Sequence, residues 1–390
     1  MALRVILVLV MVWLTGCASV NNVLRSGAKL EAVDLSARAP GQVAVVLTAE
    51  TGGEPLDRLM SSSFEIYEDG QRVEPSTSKQ TLLDPTTVMS FHTLLLLDLS
   101  GDATLPQNRT ALARAAGTFV ELVRRTQPVT VYAFDGAPAP VLLGEYPVAA
   151  NSPPLGAIPE VESFQPRDES RDLRSNVLAA LRELNGRLMQ EVKPLHTGTL
   201  VVFTQGPDIA GRVDEDTFYT NVGATKRDVL VIHTDEKPHN EIEQLGNRGL
   251  IHLDQLQNAG PVFEAAAIRV GALKDRHYLL SYCSPSRAGK RLLRIDVSGF
   301  DEEGNEKRGN VSLEFDSTGF GPGCEANAVP QFGSGPTVAP PGPPSEPTPG
   351  TVAPQPGDTA PVDAVAPEGT SPPASEETIV PPPDRPGYGD

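Results

Sequence analysis

The amino-acid sequence predicts an α/β protein in which a doubly wound, mainly parallel sheet is inserted in a small β-sandwich and followed by a disordered Pro-rich tail. Three observations predict this. First, the apolar run Leu94-Leu95-Leu96-Leu97 stops abruptly in Asp98-Leu99-Ser100-Gly101-Asp102. It is too short for a membrane span and reads as a strand buried on both faces, as at the centre of a parallel sheet. Second, strand-like and helical segments alternate from there to residue 273, the order that builds a parallel sheet covered on both sides. Third, short runs with period-two alternation flank this region, and neither flank has enough strands to bury an apolar face alone.

Taken in chain order, Arg4 precedes an apolar core from Val5 to Leu14 with the shape of a signal-peptide h-region. Leu14-Thr15-Gly16-Cys17 then resembles the bacterial lipobox. The resemblance implies that residues 1–16 are removed and that Cys17 is acylated. Several acyl chains, at about 0.8 kcal/mol per buried CH₂, would hold the chain on a lipid bilayer. Ala18, in place of an Asp, implies by similarity to sorted lipoproteins the outer membrane, facing the periplasm or the cell surface. Residues 17–40 read as a flexible tether.

Residues 41–85 read as the first half of the sandwich. Residues 42–48 form a strand pattern, Gly52-Gly53 a turn, residues 64–68 an alternating strand and Asp69-Gly70 a hairpin turn. The α/β domain spans 86–275. Its helix at 109–125 places Leu112, Ala116, Phe119, Val120 and Val123 on one face. A strand at 129–134, a loop rich in Pro and acids at 146–172 and a helix at 175–189 follow. Strands at 200–203 and 229–233 and a helix near 263–273 complete it. Residues 276–324 return three alternating strands, at 278–282, 292–297 and 311–315, for the second half of the sandwich. From Glu325 to Asp390 there are nine acidic residues against one basic, Arg385, and 18 of the 37 Pro. Such a segment buries too little apolar surface to offset its ordering entropy, so 325–390 is expected to be disordered.

The net charge of −18 argues against nucleic acid as a partner. With Cys17 taken by lipid, Cys283 and Cys324 remain, an even pair that suggests one disulfide in an oxidising compartment, the alternative being two free buried thiols. None of the six His is spaced with a Cys as zinc ligands would be.

Asp98, Ser100 and Asp102 lie where ligand sites form in open α/β sheets, beyond the carboxyl end of a buried strand. Three oxygen-bearing side chains at i, i+2 and i+4 suit a hard cation, although the same residues could equally make a turn and a helix cap. Downstream, Ser175 opens a helix, and Thr199-Leu200-Val201-Val202-Phe203-Thr204-Gln205-Gly206-Pro207-Asp208 is a second buried strand running into a polar turn. In this order and spacing, over residues 90–275, the chain resembles the von Willebrand factor type A domain. That family's metal-ion-dependent adhesion site uses an Asp-x-Ser-x-Ser loop, a Thr before a helix and an Asp in a Thr-Asp-Gly turn. Asp98 and Ser100 match the first loop. Asp102 stands where its last Ser would be, Ser175 stands for the Thr, Gln205 replaces the Asp, and Asp208 matches an acidic position after the turn. The resemblance implies a bound Mg²⁺ or another divalent cation on Asp98, Ser100, Asp102, Ser175, Gln205 and Asp208, with a protein partner meeting it.

No Gly-x-Ser-x-Gly elbow, Gly-rich phosphate loop or His-Glu-x-x-His is present. The expectation is therefore a non-enzymatic, membrane-tethered protein-binding module of the bacterial cell envelope, for adhesion or assembly. The alternatives are a structural envelope lipoprotein with an inactive adhesion site and, behind it, a hydrolase using Ser100.

Overall fold

The computed structural model describes residues 27–333 apart from Asp57, Ser152 and Glu302. The expected signal peptide, Cys17 and the tail from 334 onward lie outside the described residues. Among the described residues, no helix is long and apolar enough to cross a membrane.

The chain begins with strands β1 (Lys29–Arg38), β2 (Gln42–Thr51), β3 (Glu54–Pro55), β4 (Phe64–Glu68) and β5 (Gln71–Arg72), then a short helix α1 (Pro75–Ser78) and β6 (Thr81–Leu83). The α/β region follows as β7 (Met89–Asp98), α2 (Pro106–Val123), β8 (Val129–Phe134), β9 (Val141–Tyr146), α3 (Pro159–Ser163) and α4 (Leu173–Met189). It continues through β10 (Leu195–Thr204), α5 (Glu215–Thr225), β11 (Asp228–His233), α6 (Asn240–Leu245), β12 (Leu250–His252) and α7 (Ala259–Asp275). Strands β13 (His277–Cys283), β14 (Lys290–Phe300) and β15 (Glu306–Asp316) close the fold.

The central sheet has the order β12-β11-β10-β7-β8-β9, parallel except for the edge strand β9. All ten residues of β7 are buried, and the pleat divides them. Leu95 and Leu97 enter a core with α2 and α7, while Leu94 and Leu96 enter one with α4, α5 and α6. Sequence order runs outward in both directions from the β7–β10 pair, which makes the carboxyl ends of these two strands the topological switch point. Asp98 ends β7, and Gln205 follows β10.

The flanking strands form two further sheets, β1-β2-β13-β6 with β3 on β2, and β15-β14-β4-β5. Val45, Phe64, Leu280, Ile295 and Val297 share one core between them, so the two halves of the sandwich meet as expected. Strand β2 is covered on its other side as well, where Ala44 and Val46 pack with Met89, Phe91 and Leu279. The sandwich therefore rests directly on the α/β region. Cys283 and Cys324 form a disulfide, Cα–Cα 5.8 Å. At a sequence separation of 41, loop-entropy reasoning gives a contribution of about 4 kcal/mol.

Three expectations need correction. Residues 29–38, read as tether, form β1 and pair along β2 from Lys29↔Glu50 to Arg38↔Gln42. The folded part does not stop at 324: Ala326 and Phe332 are buried, and Ser36 Oγ donates to Gln331 O at 2.6 Å. The loop at 146–172 carries the short helix α3, with Val161 buried.

Candidate functional site

The loop after β7 begins with a carboxylate that has no exposed surface. Asp98 Oδ1 accepts from the Ser100 amide (3.0 Å) and hydroxyl (2.6 Å). Its Oδ2 accepts from Arg171 Nε (2.6 Å), the Gln205 amide (2.9 Å) and, at 3.4 Å, Thr204 Oγ1. The Arg171 side chain is 11% exposed and that of Asp98 0%. A charge pair this deep is held by its hydrogen bonds as much as by its Coulomb attraction, and losing one member typically costs about 3–5 kcal/mol. Gln205 Nε2 donates to Ser100 O at 2.6 Å, which ties the loop after β10 to the loop after β7.

Gly206 makes room for this guanidinium, while Gly101 lies at ordinary contact distance from it. A Cβ on Gly206 (φ +155°) would come within 2.9 Å of Arg171 Nη1, and one on Gly101 (φ +52°) within 3.7 Å of Nη2. Arg171 Nη1 also donates to Pro207 O at 3.4 Å, and Arg171 O accepts the Ile209 and Ala210 amides at 2.9 Å each.

Of the six residues expected to hold a cation, the structure joins Asp98, Ser100 and Gln205 directly. Ser175 is the third residue of α4 and not its cap. Asp172 is the cap, with Oδ1 accepting the Ser175 amide at 3.2 Å. Asp208 turns to the start of the same helix, accepting the Arg174 amide (3.1 Å) and the Gly211 amide (2.7 Å), so it satisfies free N–H groups. Asp102 is exposed, and Asn108 holds its carbonyl oxygen (2.8 Å) and not its carboxylate.

These residues do not fit the expected Mg²⁺ or other divalent cation. An ionised carboxylate offers about four lone-pair positions, and four donors already fill them on Asp98: the Ser100 amide and hydroxyl, Arg171 Nε and the Gln205 amide. One of them is a full positive charge, which would repel a dication. No group of three or more His, Cys, Asp or Glu that could hold a metal ion is present among the described residues.

Sequence reasoning missed the arginines that organise this end of the sheet. Arg167 donates to Asp135 from its amide (2.6 Å) and its Nη2 (2.9 Å). Burial alone would raise the Asp135 carboxyl, but these donors and the Ala137 amide outweigh it and hold it below its ordinary value. Arg212 Nη1 donates to Asp172 (2.6 Å), and Arg174 bridges Glu241 (2.8 Å) and Glu215 (2.9 Å). For Arg167, Arg171 and Arg174 the available signal was the run Arg167-Asp168-Glu169-Ser170-Arg171-Asp172-Leu173-Arg174, dense in both charges where a loop read as rich in Pro and acids gives way to a helix.

No family model matches the chain, and no curated protein matches it in sequence. Among solved structures it is similar to a von Willebrand factor type A protein from Catenulispora acidiphila, at 10% identity over 74% of this chain and 73% of that one, TM-score 0.39. It is also similar to the manganese-loaded TRAP protein of Plasmodium vivax, at 11% identity over 65% and 98%, TM-score 0.35. A third is the VWA domain of SpRpn10, at 11% identity over 44% and 93%, TM-score 0.33. The sheet order and the meeting of the β7 and β10 loops at the switch point, with α4 beginning beside them, make the α/β region a doubly wound domain whose candidate site lies at the carboxyl ends of its two central strands.

Proposed function

We propose that the chain is a membrane-tethered module of the bacterial cell envelope that binds a protein partner through the loops above the central sheet, without help from a divalent cation. The observation that carries this reading is the bracing of that face. The pairs Asp98–Arg171, Asp135–Arg167, Asp172–Arg212 and Glu241–Arg174 fix the loops, while Leu105 (44% exposed) and Ile209 (65% exposed) stand out from them. Large apolar side chains on loops that are already ordered lose little conformational entropy on binding, which favours association. The Ser100 hydroxyl donates to a carboxylate whose charge Arg171 balances, so the two do not form an activated nucleophile and base. This supports binding over catalysis. Tethering is supported by Leu14-Thr15-Gly16-Cys17.

The test is capture from envelope extracts by immobilised chain carrying Ile209→Asp, compared with Val192→Asp. Val192 is 99% exposed and precedes β10, at the other end of the sheet. A protein retained by the wild type and by Val192→Asp, lost by Ile209→Asp and unaffected by chelator is expected. Equal retention by both variants would refute the assignment of the face, and loss in chelator would refute its independence from cations.

A further inference from the structure

We propose that the sandwich seats one end on the lipid bilayer, with Phe300 and Met60 entering the membrane surface. This rests on the tethering read from Leu14-Thr15-Gly16-Cys17. Three features meet at that end. The first is the place of Gly27, the residue nearest Cys17 whose position is described. The Ala28 amide donates to Arg308 O at 2.9 Å, which fixes Gly27 beside β15. Arg308 pairs with Ser298 on β14, and Phe300, two residues further, pairs with Glu306. The second is a pair of exposed apolar side chains, Phe300 at 63% and Met60 at 66%. Their chain neighbours touch, since a Cβ on Gly299 would come within 2.7 Å of Leu59 Cδ2. Phe300 and Met60 therefore stand on the same rim. The third is charge. Glu306 pairs with Arg308 at 2.8 Å, Asp301 with Lys307 at 3.2 Å and Glu54 with Arg269, so acids at this rim are met within the fold.

Two exposed apolar side chains are ordinary on a protein surface and would not bind a bilayer unaided. The link to the acyl chains changes this. Gly27 is ten residues from Cys17, a reach of at most about 35 Å when fully extended. Groups held so close meet the surface at a high effective concentration, so a weak insertion suffices. An aromatic and a thioether side chain can enter the acyl boundary while the polar backbone of their turns stays among the headgroups. The far end of the molecule is left free, because the sandwich packs on Met89 and Phe91 at the start of β7, whereas Ile209 lies beyond the carboxyl end of β10.

Tryptophan fluorescence of the full chain, purified from envelopes and reconstituted in phosphatidylcholine vesicles, tests this. The sequence has one Trp, Trp13, in the segment expected to be removed, so a Trp placed in the mature chain reports alone. Phe300→Trp should lose about half of its emission when the lipids carry bromine on their acyl chains, because Trp settles at the interface. Ile209→Trp should emit equally in plain and brominated vesicles. Adding Met60→Asp to Phe300→Trp should at least halve the quenching. All three side chains are exposed, so these variants should melt with the wild type. Flotation with the vesicles reads the tether separately. A chain that floats, with Phe300→Trp emission equal in both lipids, refutes the seat and leaves the tether standing. A chain that does not float refutes the tether and the seat with it. Equal quenching at 300 and 209 refutes the choice of this end.

Discussion

Replacing Arg276 with Met should loosen the seat of the α/β domain on the sandwich. Arg276 follows α7 and precedes β13, so it stands at the junction of the two, with its side chain 7% exposed. Its Nη1 donates to Glu50 Oε2 on β2 of the sandwich at 3.0 Å. Its Nη2 reaches both oxygens of Asp228, the first residue of β11, at 3.0 and 2.8 Å. Arg248 meets the same two acids, Asp228 at 2.6 Å and Glu50 at 3.1 Å. Two buried carboxylates thus share two guanidinium groups across the junction. Removing one leaves both acids facing Arg248, with only the exposed Lys29 ammonium, 3.7 Å from Glu50, beside it, in a site where each acid side chain is only 8% exposed. Breaking a buried pair costs about 3–5 kcal/mol, and Arg248 remains to face both acids, which places the loss near about 3 kcal/mol. For a domain pair of this size that is roughly 6–12 °C in melting temperature. Urea unfolding at neutral pH, followed by circular dichroism, measures it. Adding Asp228→Asn to Arg276→Met should restore more than half of the loss by removing the carboxylate that Arg276 held. A loss below about 1 kcal/mol, or no recovery in the double variant, would show that the network does not clamp the domains.

Two further outcomes are expected. Burial holds both His92 and His277 down to about 4, below the ordinary imidazole value of 6.5. Because the folded-state value is the lower one, their contribution is complete above about pH 6.5 and is lost as pH falls from there through 4, at about 3 kcal/mol for each by pH 4. His277→Gln should flatten that part of the stability–pH curve, and an unchanged slope between pH 6.5 and 4 would contradict it. Cys17 should carry the mature amino terminus with acyl chains attached, and mass spectrometry finding an unmodified Cys17, or residues 1–16 still present, would remove the tether.

The parts of the fold that could be read from sequence are those where one period persists. Leu94 to Leu97 belongs to a strand buried on both faces, and the alternation in residues 64–68 survives as the buried, half-buried, buried order of β4. Strand β1 escaped for a definable reason. Its register on β2 shifts between Ala32 and Asp34, so Leu30 and Ala32 face the core in one phase while Leu35 and Ala37 do so in the other. A bulge of this kind erases the period of two over the whole strand while leaving each half intact. The edge strand β9 shows no clear alternation because it is half exposed along its length. Residues 325–333 were hidden by composition. Their attachment comes from main-chain carbonyls, with Gln42 Nε2 donating to Ala326 O (3.3 Å) and Ala328 O (2.7 Å), and from single apolar side chains rather than a pattern.

The site was half legible, and charge arithmetic shows why the other half was not. Strand ends foretell which loops meet, so Asp98 and Ser100 could be named from an apolar run, and Gln205 from the resemblance of the turn after the second. Which cation balances them could not be named that way, because Arg171 comes from a segment with no periodic pattern. The sequence nevertheless held the necessary clue in Gln205. An Asp at that position would place a second carboxylate beside Asp98, and two adjacent carboxylates favour a partner of charge two. Gln205 leaves a single carboxylate in the buried set, which one guanidinium neutralises completely. Its amide does a second thing that an ionised Asp cannot, donating to Ser100 O and closing the two loops on each other. Gly206 then leaves the space into which Nη1 fits. Neutral Gln, bare Gly and a loop-borne Arg are therefore three parts of one exchange, in which a covalently held monovalent charge stands where the family resemblance expected a free divalent one.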